Sequence, residues 1–365
     1  MGPLRWGFVG AGKISNDFAS CLQILPPDEH QMVSVAASDV GKANEFANIF
    51  GFKKAYGTYA AIAADPDVDV VYIGTINSNH YELAKLMLEN DKHVLCEKPL
   101  TLMLEHTQEL IALAEKKKKF FQEAVWSRFF PSYHKLRETL KARSIGDVRL
   151  VSVQFGFNAP HVDRLARKEL GGGSLVDIGV YCIQFILAVY GPEMPDIVKA
   201  IGKLNHEGCD MSVNAVLQWK DGRSAQFATT FLTDLPSEAY VYGSDGSIKM
   251  PRPFWCTTDC HVTELRDESS GPKSHTAQKT AHEEKHSFPL PVTTHPLVFE
   301  NGAGMVYEAQ EVRRCIQNGL LESPHMTHQE TLLIATIQDQ IKRQIGLSYD
   351  ELYVDGGLKI TKAVP

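Results

Sequence analysis

Two short segments of the chain carry residue types whose spacing suits chemistry. The first is Gly7-Phe8-Val9-Gly10-Ala11-Gly12-Lys13-Ile14-Ser15, which closes an apolar run and opens a helical pattern. In that setting Gly10 permits a tight turn and Gly12 lets the backbone approach a pyrophosphate. The first N–H groups of the following helix then face the anion. Ser15 stands where a third glycine is usual, and a small residue still allows close helix–strand packing. Gly10, Gly12, Lys13 and Ile14 are therefore expected to cradle a dinucleotide. After the second apolar run comes Ala37-Ser38-Asp39-Val40-Gly41-Lys42, where the adenosine ribose should lie. Ser38 and Lys42 suit the 2′-phosphate of NADP. Asp39 suits the free 2′-hydroxyl of NAD, or caps the next helix.

The second segment is Cys96-Glu97-Lys98-Pro99, directly after another apolar run. A lysine here lies at the carboxyl edge of a parallel sheet, where ligands bind in open α/β folds. In water its pKa of about 10.4 makes it a poor base at neutral pH. Partly desolvated beside an oxidised nicotinamide, its charged form is disfavoured. Lys98 is expected to relay a proton or, as a cation, to polarise a substrate oxygen.

These segments need a scaffold. Leu4–Val9, Met32–Ala37, Val68–Ile73, His93–Cys96 and Phe120–Glu123 read as strands alternating with helical periods, such as Ile14, Phe18, Cys21 and Leu22. Right-handed crossovers then give a Rossmann, doubly wound parallel sheet in residues 1–124. Residues 125–365 change period. Val151, Val153 and Phe155 alternate with other residues, as do Met211, Val213, Ala215, Leu217 and Trp219. Ser224–Leu232 and the Tyr240–Met250 stretch, with turn signals at Asp221-Gly222 and Asp245-Gly246, follow the same grammar. The overall fold class is α/β. The second domain is α+β, with a large, mostly antiparallel open sheet and a helix around Ser174–Tyr190. One sheet face should pack on helices, and the other is expected to pair with a second copy as a homodimer. The polar stretch Arg266–His286 reads as an inserted surface loop.

The bulk properties exclude several classes. The 365 residues are 44% hydrophobic and 22% charged, which is ordinary globular composition. The net charge of −7 argues against nucleic acid as the partner. No run of about 18 uninterrupted apolar residues marks a membrane span, and no signal-peptide pattern opens the chain. The basic run Lys116–Lys119 reads as a solvated helix end. Seven cysteines without framework spacing favour free thiols and a cytoplasmic location. Cys256, Cys260 and His261 lack the paired spacing of a zinc site, so no metal is expected.

With Thr75-Ile76-Asn77-Ser78-Asn79-His80 and Gly171-Gly172-Gly173-Ser174-Leu175-Val176-Asp177-Ile178-Gly179-Val180-Tyr181, the two segments resemble the glucose–fructose oxidoreductase / inositol dehydrogenase family. Glu123–Pro131, Asp177–Phe185 and Asn301–Ala309 resemble one branch of it more closely. The resemblance covers about residues 4–345 and fails at the 266–286 insertion and beyond Ser348. It implies an NADP-dependent oxidoreductase that passes a hydride from the CH–OH group of a trans-dihydrodiol, or of an aldose such as D-xylose, to the nicotinamide. It implies that Lys98 assists proton transfer and that Tyr181 is the acid/base, where many relatives carry histidine. It also implies that Asp177 orients the substrate hydroxyls. Asn77 and His80 line the cofactor cleft in relatives, and Thr75 and Glu97 fall in the same cofactor-binding motifs. The lysine–proline peptide is cis in some relatives. NADP users of the branch tend to carry arginines where this chain has Ser38 and Lys42. Trp126 and Phe155 are then expected as an apolar wall for the substrate or as core. Arg128 is expected to hold a phosphate or substrate oxygen, or to form an ion pair. The alternatives are an NAD-dependent sugar or cyclitol dehydrogenase with Asp39 on the ribose, and a non-catalytic nucleotide-binding redox sensor.

Overall fold

The computed structural model describes residues 2–266 and 279–353. The first half alternates β1 (Leu4–Val9), α1 (Lys13–Gln23), β2 (His30–Ala36), α2 (Val40–Phe50), β3 (Lys54–Tyr56), α3 (Tyr59–Ala63), β4 (Val70–Ile73), α4 (His80–Glu89), β5 (His93–Glu97), α5 (Leu104–Lys117) and β6 (Phe121–Ala124). All the strands run parallel in the order β3-β2-β1-β4-β5-β6. The order reverses between β1 and β4, which opens a crevice at their carboxyl ends. Helices cover both faces, so β4 is buried along its whole length. The five strands read from apolar runs are present within a residue or two. The edge pair β3 and α3 was not read, because β3 is short and only half-buried. The Lys116–Lys119 run lies at the end of α5, with Lys118 in a left-handed cap.

The second half begins with α6 (Pro131–Lys141), β7 (Val148–Gly156), the single turn α7 (Asp163–Ala166), α8 (Ser174–Asp177) and α9 (Gly179–Tyr190). There follow β8 (Ile197–Leu204), β9 (Asp210–Gln218), β10 (Ser224–Thr230), β11 (Ala239–Gly243), β12 (Gly246–Met250), β13 (Asp259–Arg266) and β14 (Thr280–Ser287). These strands form one sheet in the order β14-β13-β12-β11-β7-β10-β9-β8, antiparallel except where β7 meets β10. Val151, Val153, Val213, Leu217, Val241 and Ile248 point inward onto α9 and α6. The segment Lys168–Tyr190 has the length and hydropathy of a membrane-spanning helix, yet it is almost entirely enclosed by this sheet and its neighbours. The outer sheet face leaves Ile201 and Val216 exposed around a hollow of about 560 Å³.

The polar stretch Arg266–His286 is not a loop throughout, contrary to expectation. Residues 280–286 of the expected 266–286 loop form most of strand β14, paired in register with β13 from Arg266↔Thr280 to Asp259↔Ser287. Residues 267–278 lie outside the described residues. The strand was hidden because it is a solvated edge with polar side chains on both faces, a common protection against edge pairing.

Helices α10 (Met305–Gln317) and α11 (His328–Ile345) then return to the first half. Helix α10 packs on α1, and α11 packs on α5, α9 and β8. A capping box from Thr327 and Glu330 starts α11, and left-handed Gly346 ends it.

Candidate active site

The β1–α1 turn has the geometry an anion needs. Gly10 adopts φ +101°, and a Cβ there would stand 2.8 Å from the Gly74 carbonyl oxygen. Only glycine suits that position. At Gly12, the N-cap of α1, a Cβ would find only that same oxygen, at 3.8 Å, so the space beside the backbone is open. No side chain caps α1 and no acidic residue occupies its first turn, which leaves the helix N-terminus to an anion. Ser15 is buried against Gly74, the close contact expected of a small third residue. Lys13 is exposed and Ile14 half-buried beside the turn. The residues present therefore fit a dinucleotide pyrophosphate. Beyond β2, Asp39 caps α2 by accepting from Gly41 N at 2.6 Å and Lys42 N at 3.3 Å. Ser38 and Lys42 are exposed nearby, and Ser38 hydrogen-bonds Tyr59.

At the carboxyl end of β5, the first half meets α8 and α9. The Lys98–Pro99 peptide is cis. Lys98 Nζ donates to the Asp177 carbonyl at 2.8 Å and to Asp177 Oδ1 at 3.2 Å. It lies 4.9 Å from the centre of the Tyr181 ring. The Tyr181 hydroxyl accepts from Trp126 Nε1 at 2.7 Å. Burial alone would raise the Asp177 carboxyl. Arg164 and then Lys98 outweigh it and hold the group well below the usual carboxylate range. Burial, reinforced by the Glu97 carboxylate, pushes the Tyr181 phenol up. The structure thus brings Lys98, Trp126 and the Asp177–Tyr181 pair together from three separate segments. It puts Lys98 against the ring face of Tyr181 rather than its hydroxyl.

The other expected site residues divide. His80 is buried, with Nδ1 2.8 Å from the Pro99 carbonyl oxygen and Nε2 3.3 Å from that of Thr75. Burial pushes its imidazole down to about 4, so it is neutral and ties two loops together. Asn77 donates to the Gly171 carbonyl at 2.9 Å and fastens the two halves of the molecule. Glu97 is buried and accepts from Tyr72 at 2.7 Å, and burial pushes it up to about 7. Phe155 is buried behind Trp255, stacked at 3.9 Å, so Trp255 forms the surface on that side. Arg128 lies in the core, away from these groups. It donates to Glu330 at 2.6 Å and to Gln184 Oε1 at 2.6 Å, and is 2% exposed. Of the two roles read for Arg128, the structure selects the ion pair, and its partners absorb the donors a substrate oxygen would need.

Three residues escaped the sequence reading. Arg164 donates to Asp177 Oδ1 at 2.9 Å. Trp255 was signalled only by its place in Pro253-Phe254-Trp255. Asp210 is fully buried and accepts from Ser174 Oγ and Leu175 N, each at 2.7 Å, which anchors the start of α8. Among the described residues, no three metal-ligating side chains come together.

Comparison with known proteins agrees with this architecture. Residues 4–125 match the description "Oxidoreductase family, NAD-binding Rossmann fold", and residues 133–249 match "GFO/IDH/MocA C-terminal domain". A trans-1,2-dihydrobenzene-1,2-diol dehydrogenase of Xenopus tropicalis is 41% identical over 94% of this chain and 99% of its own. A Homo sapiens protein of the same name is 38% identical over 95% and 98%. The fold is shared with levoglucosan dehydrogenase in complex with NADH (TM-score 0.80, 18% identity, covering 94% of this chain and 97% of that one). It is also shared with a 3-ketoreductase from Actinomadura kijaniata in complex with NADP and TDP-benzene (TM-score 0.77, 22% identity, 94% and 98%). Fold, dinucleotide turn and near-full-length similarity agree, and the chain belongs to the GFO/IDH/MocA oxidoreductase family.

Proposed function

We propose that this oxidoreductase is an NADP-linked dehydrogenase that oxidises the CH–OH group of a trans-dihydrodiol or of an aldose such as D-xylose. The observation that carries the reading is the Lys98–Asp177–Tyr181 constellation beside the dinucleotide turn. The names of the 41% and 38% identical relatives support the dihydrodiol. When bound, the nicotinamide supplies the hydride acceptor. Tyr181 accepts from Trp126 and keeps its own O–H for the substrate oxygen. Because its phenol is pushed up, Tyr181 holds its proton at neutral pH and is well suited to protonate a carbonyl oxygen in the reductive direction. In the oxidative direction the same oxygen takes the alcohol proton, so oxidation should speed up as pH rises and reduction should slow. Lys98 places a cation at the ring face, where it stabilises negative charge developing during proton transfer.

The capping role of Asp39 supports NADP over NAD, since its Oδ1 is engaged by Gly41 and Lys42. Ser38 and Lys42 then remain for a 2′-phosphate. The exposed Ile201 and Val216 support a homodimer through the outer sheet face. Seven buried free thiols support a reducing, cytoplasmic setting.

The test is a panel of trans-dihydrodiols, D-xylose and D-glucose, each assayed with NADP and with NAD. Turnover of a diol or pentose, faster with NADP, is the expected result. A protein that binds nucleotide but oxidises nothing on the panel favours the redox-sensor reading instead. Sedimentation as a monomer at micromolar concentration overturns the dimer.

A further inference from the structure

The Asp177 carboxylate already has a cation in Lys98, yet a second one, Arg164, shares the same oxygen. The contacts are 3.2 Å for Lys98 Nζ and 2.9 Å for Arg164 Nη1, both to Oδ1. The three side chains differ in access. Asp177 is 4% exposed, Lys98 15% and Arg164 44%, so Arg164 is the member of the trio that meets solvent. It comes from the single turn α7, within the stretch that joins β7 to α8. No other acceptor from the protein reaches its guanidinium among the described residues, so Nε and Nη2 keep their donors free.

Arg128 shows what a structural arginine looks like in the same molecule. It is buried, and it donates to Gln184 Oε1, the Gln184 carbonyl, Glu330 and the His325 carbonyl. Arg164 commits one nitrogen to the protein and presents the rest of its fork beside Tyr181 and Lys98. A planar guanidinium suits a pair of oxygen acceptors, and a pair on adjacent carbons matches its spacing. The two substrate kinds proposed above share such a pair. A trans-dihydrodiol carries it by definition, and an aldose carries a hydroxyl on the carbon next to the one oxidised.

We propose that Arg164 is a substrate-binding residue that grips the hydroxyl next to the carbon being oxidised, so that the site selects vicinal diols and sugars over simple alcohols. This rests on the dehydrogenase reading above. The Asp177 bond anchors one guanidinium nitrogen and leaves the others to donate to the substrate. The fork is ordered before substrate arrives, which reduces the entropy lost on binding.

The experiment compares matched pairs: trans-1,2-cyclohexanediol with cyclohexanol, and D-xylose with its 2-deoxy analogue. Each is assayed with NADP on the wild type, Arg164→Met and Arg164→Lys. The wild type should favour the vicinal member. Loss of a site hydrogen bond to substrate predicts that Arg164→Met lowers kcat/KM for that member about 30-fold more than for its analogue. Arg164→Lys keeps the charge without the fork and should recover only part of the discrimination. Arg164 is half-exposed, so both variants should fold, and thermal melting checks this. An equal fall for both members of each pair means that Arg164 only holds Asp177, and overturns the proposal. So does unchanged discrimination. A wild type that binds NADP but turns over no substrate overturns the dehydrogenase reading itself. Activity with discrimination untouched in Arg164→Met overturns the role of Arg164 alone.

Discussion

Asp177 and Asp210 are both buried, and they touch opposite ends of the same four-residue helix, α8. Asp177 closes the helix and holds Arg164 and Lys98. Asp210, from β9, accepts from Ser174 and Leu175 at its start. Burial pushes both carboxyls up. At Asp177 two cations reverse the effect. At Asp210 only a hydroxyl and backbone N–H groups oppose burial, and the group is pushed up to about 7. Strongly perturbed groups cluster at active sites as a rule. Here both carboxyls are perturbed, in opposite directions, and the downward shift marks the site. The upward shift marks the bracket that holds the site in place. A Cβ at Gly173 would run into Asp210 and the Tyr349 hydroxyl, so the Gly171–Ser174 turn is wedged between that bracket and Asn77.

Asp177→Asn should have the largest effect, because it leaves two cations sharing a neutral amide. A loss of about 10³-fold in kcat/KM is expected, in line with removal of a charge that organises the reacting groups. Lys98→Met and Tyr181→Phe should each lower kcat by about 10²-fold, the lower end of the range for a general acid–base partner. NADP affinity, read by fluorescence titration, should change little. Near-wild-type kcat for Tyr181→Phe across the pH range removes its acid/base role.

Asp210→Ala should act through folding. Leaving Leu175 N and Ser174 Oγ without their acceptor costs about 1–3 kcal/mol, measured by urea unfolding. Asp210→Asn keeps an acceptor and should cost less. The pH dependence has opposite signs at the two ends of the helix. Asp210 is raised in the folded state, so it weakens the fold as pH climbs from about 4 to about 7. Across that window Asp210→Asn should gain stability relative to the wild type by more than about 1.4 kcal/mol, the equivalent of one pKa unit. Asp177 is depressed, so its contribution is present above the ordinary aspartate pKa and fades only as pH falls below it. A parallel pH trend for the two Asn variants would break the comparison. The smallest expected effect is at Lys42. Replacing this exposed side chain with alanine should raise KM for NADP only about threefold and leave KM for NAD unchanged, because solvent screens a surface charge.

Much of the fold was legible, for reasons tied to particular stretches. The alternation in β7, β9 and β10 and the turns at Asp221-Gly222 and Asp245-Gly246 are period and turn signals that a single segment carries. Edge strands lacked such a signal. In β8 both Ile197 and Ile201 face solvent, and β14 is polar except for Ala281. The dinucleotide turn and Lys98-Pro99 were legible because each does its work within a few consecutive residues. Arg128 has two readings in sequence because its partners Gln184 and Glu330 are 56 and 202 positions away. Asp210 carries no local sign at all, since its partners lie 35 and 36 residues earlier.

The same division runs through the site. Glycine at Gly10 follows from a backbone angle and a contact with Gly74, and the first βα turn is recognised from its own residues and flanks. Lys98, Asp177, Tyr181 and Arg164 are likewise present as residue types. Their joint electrostatics are not. Lys98 and Asp177 are 79 positions apart, and they meet only because the parallel sheet ends where α8 ends. Period and turn chemistry depend on neighbours along the chain. Charge pairing and burial depend on neighbours in space, and only the folded protein supplies those.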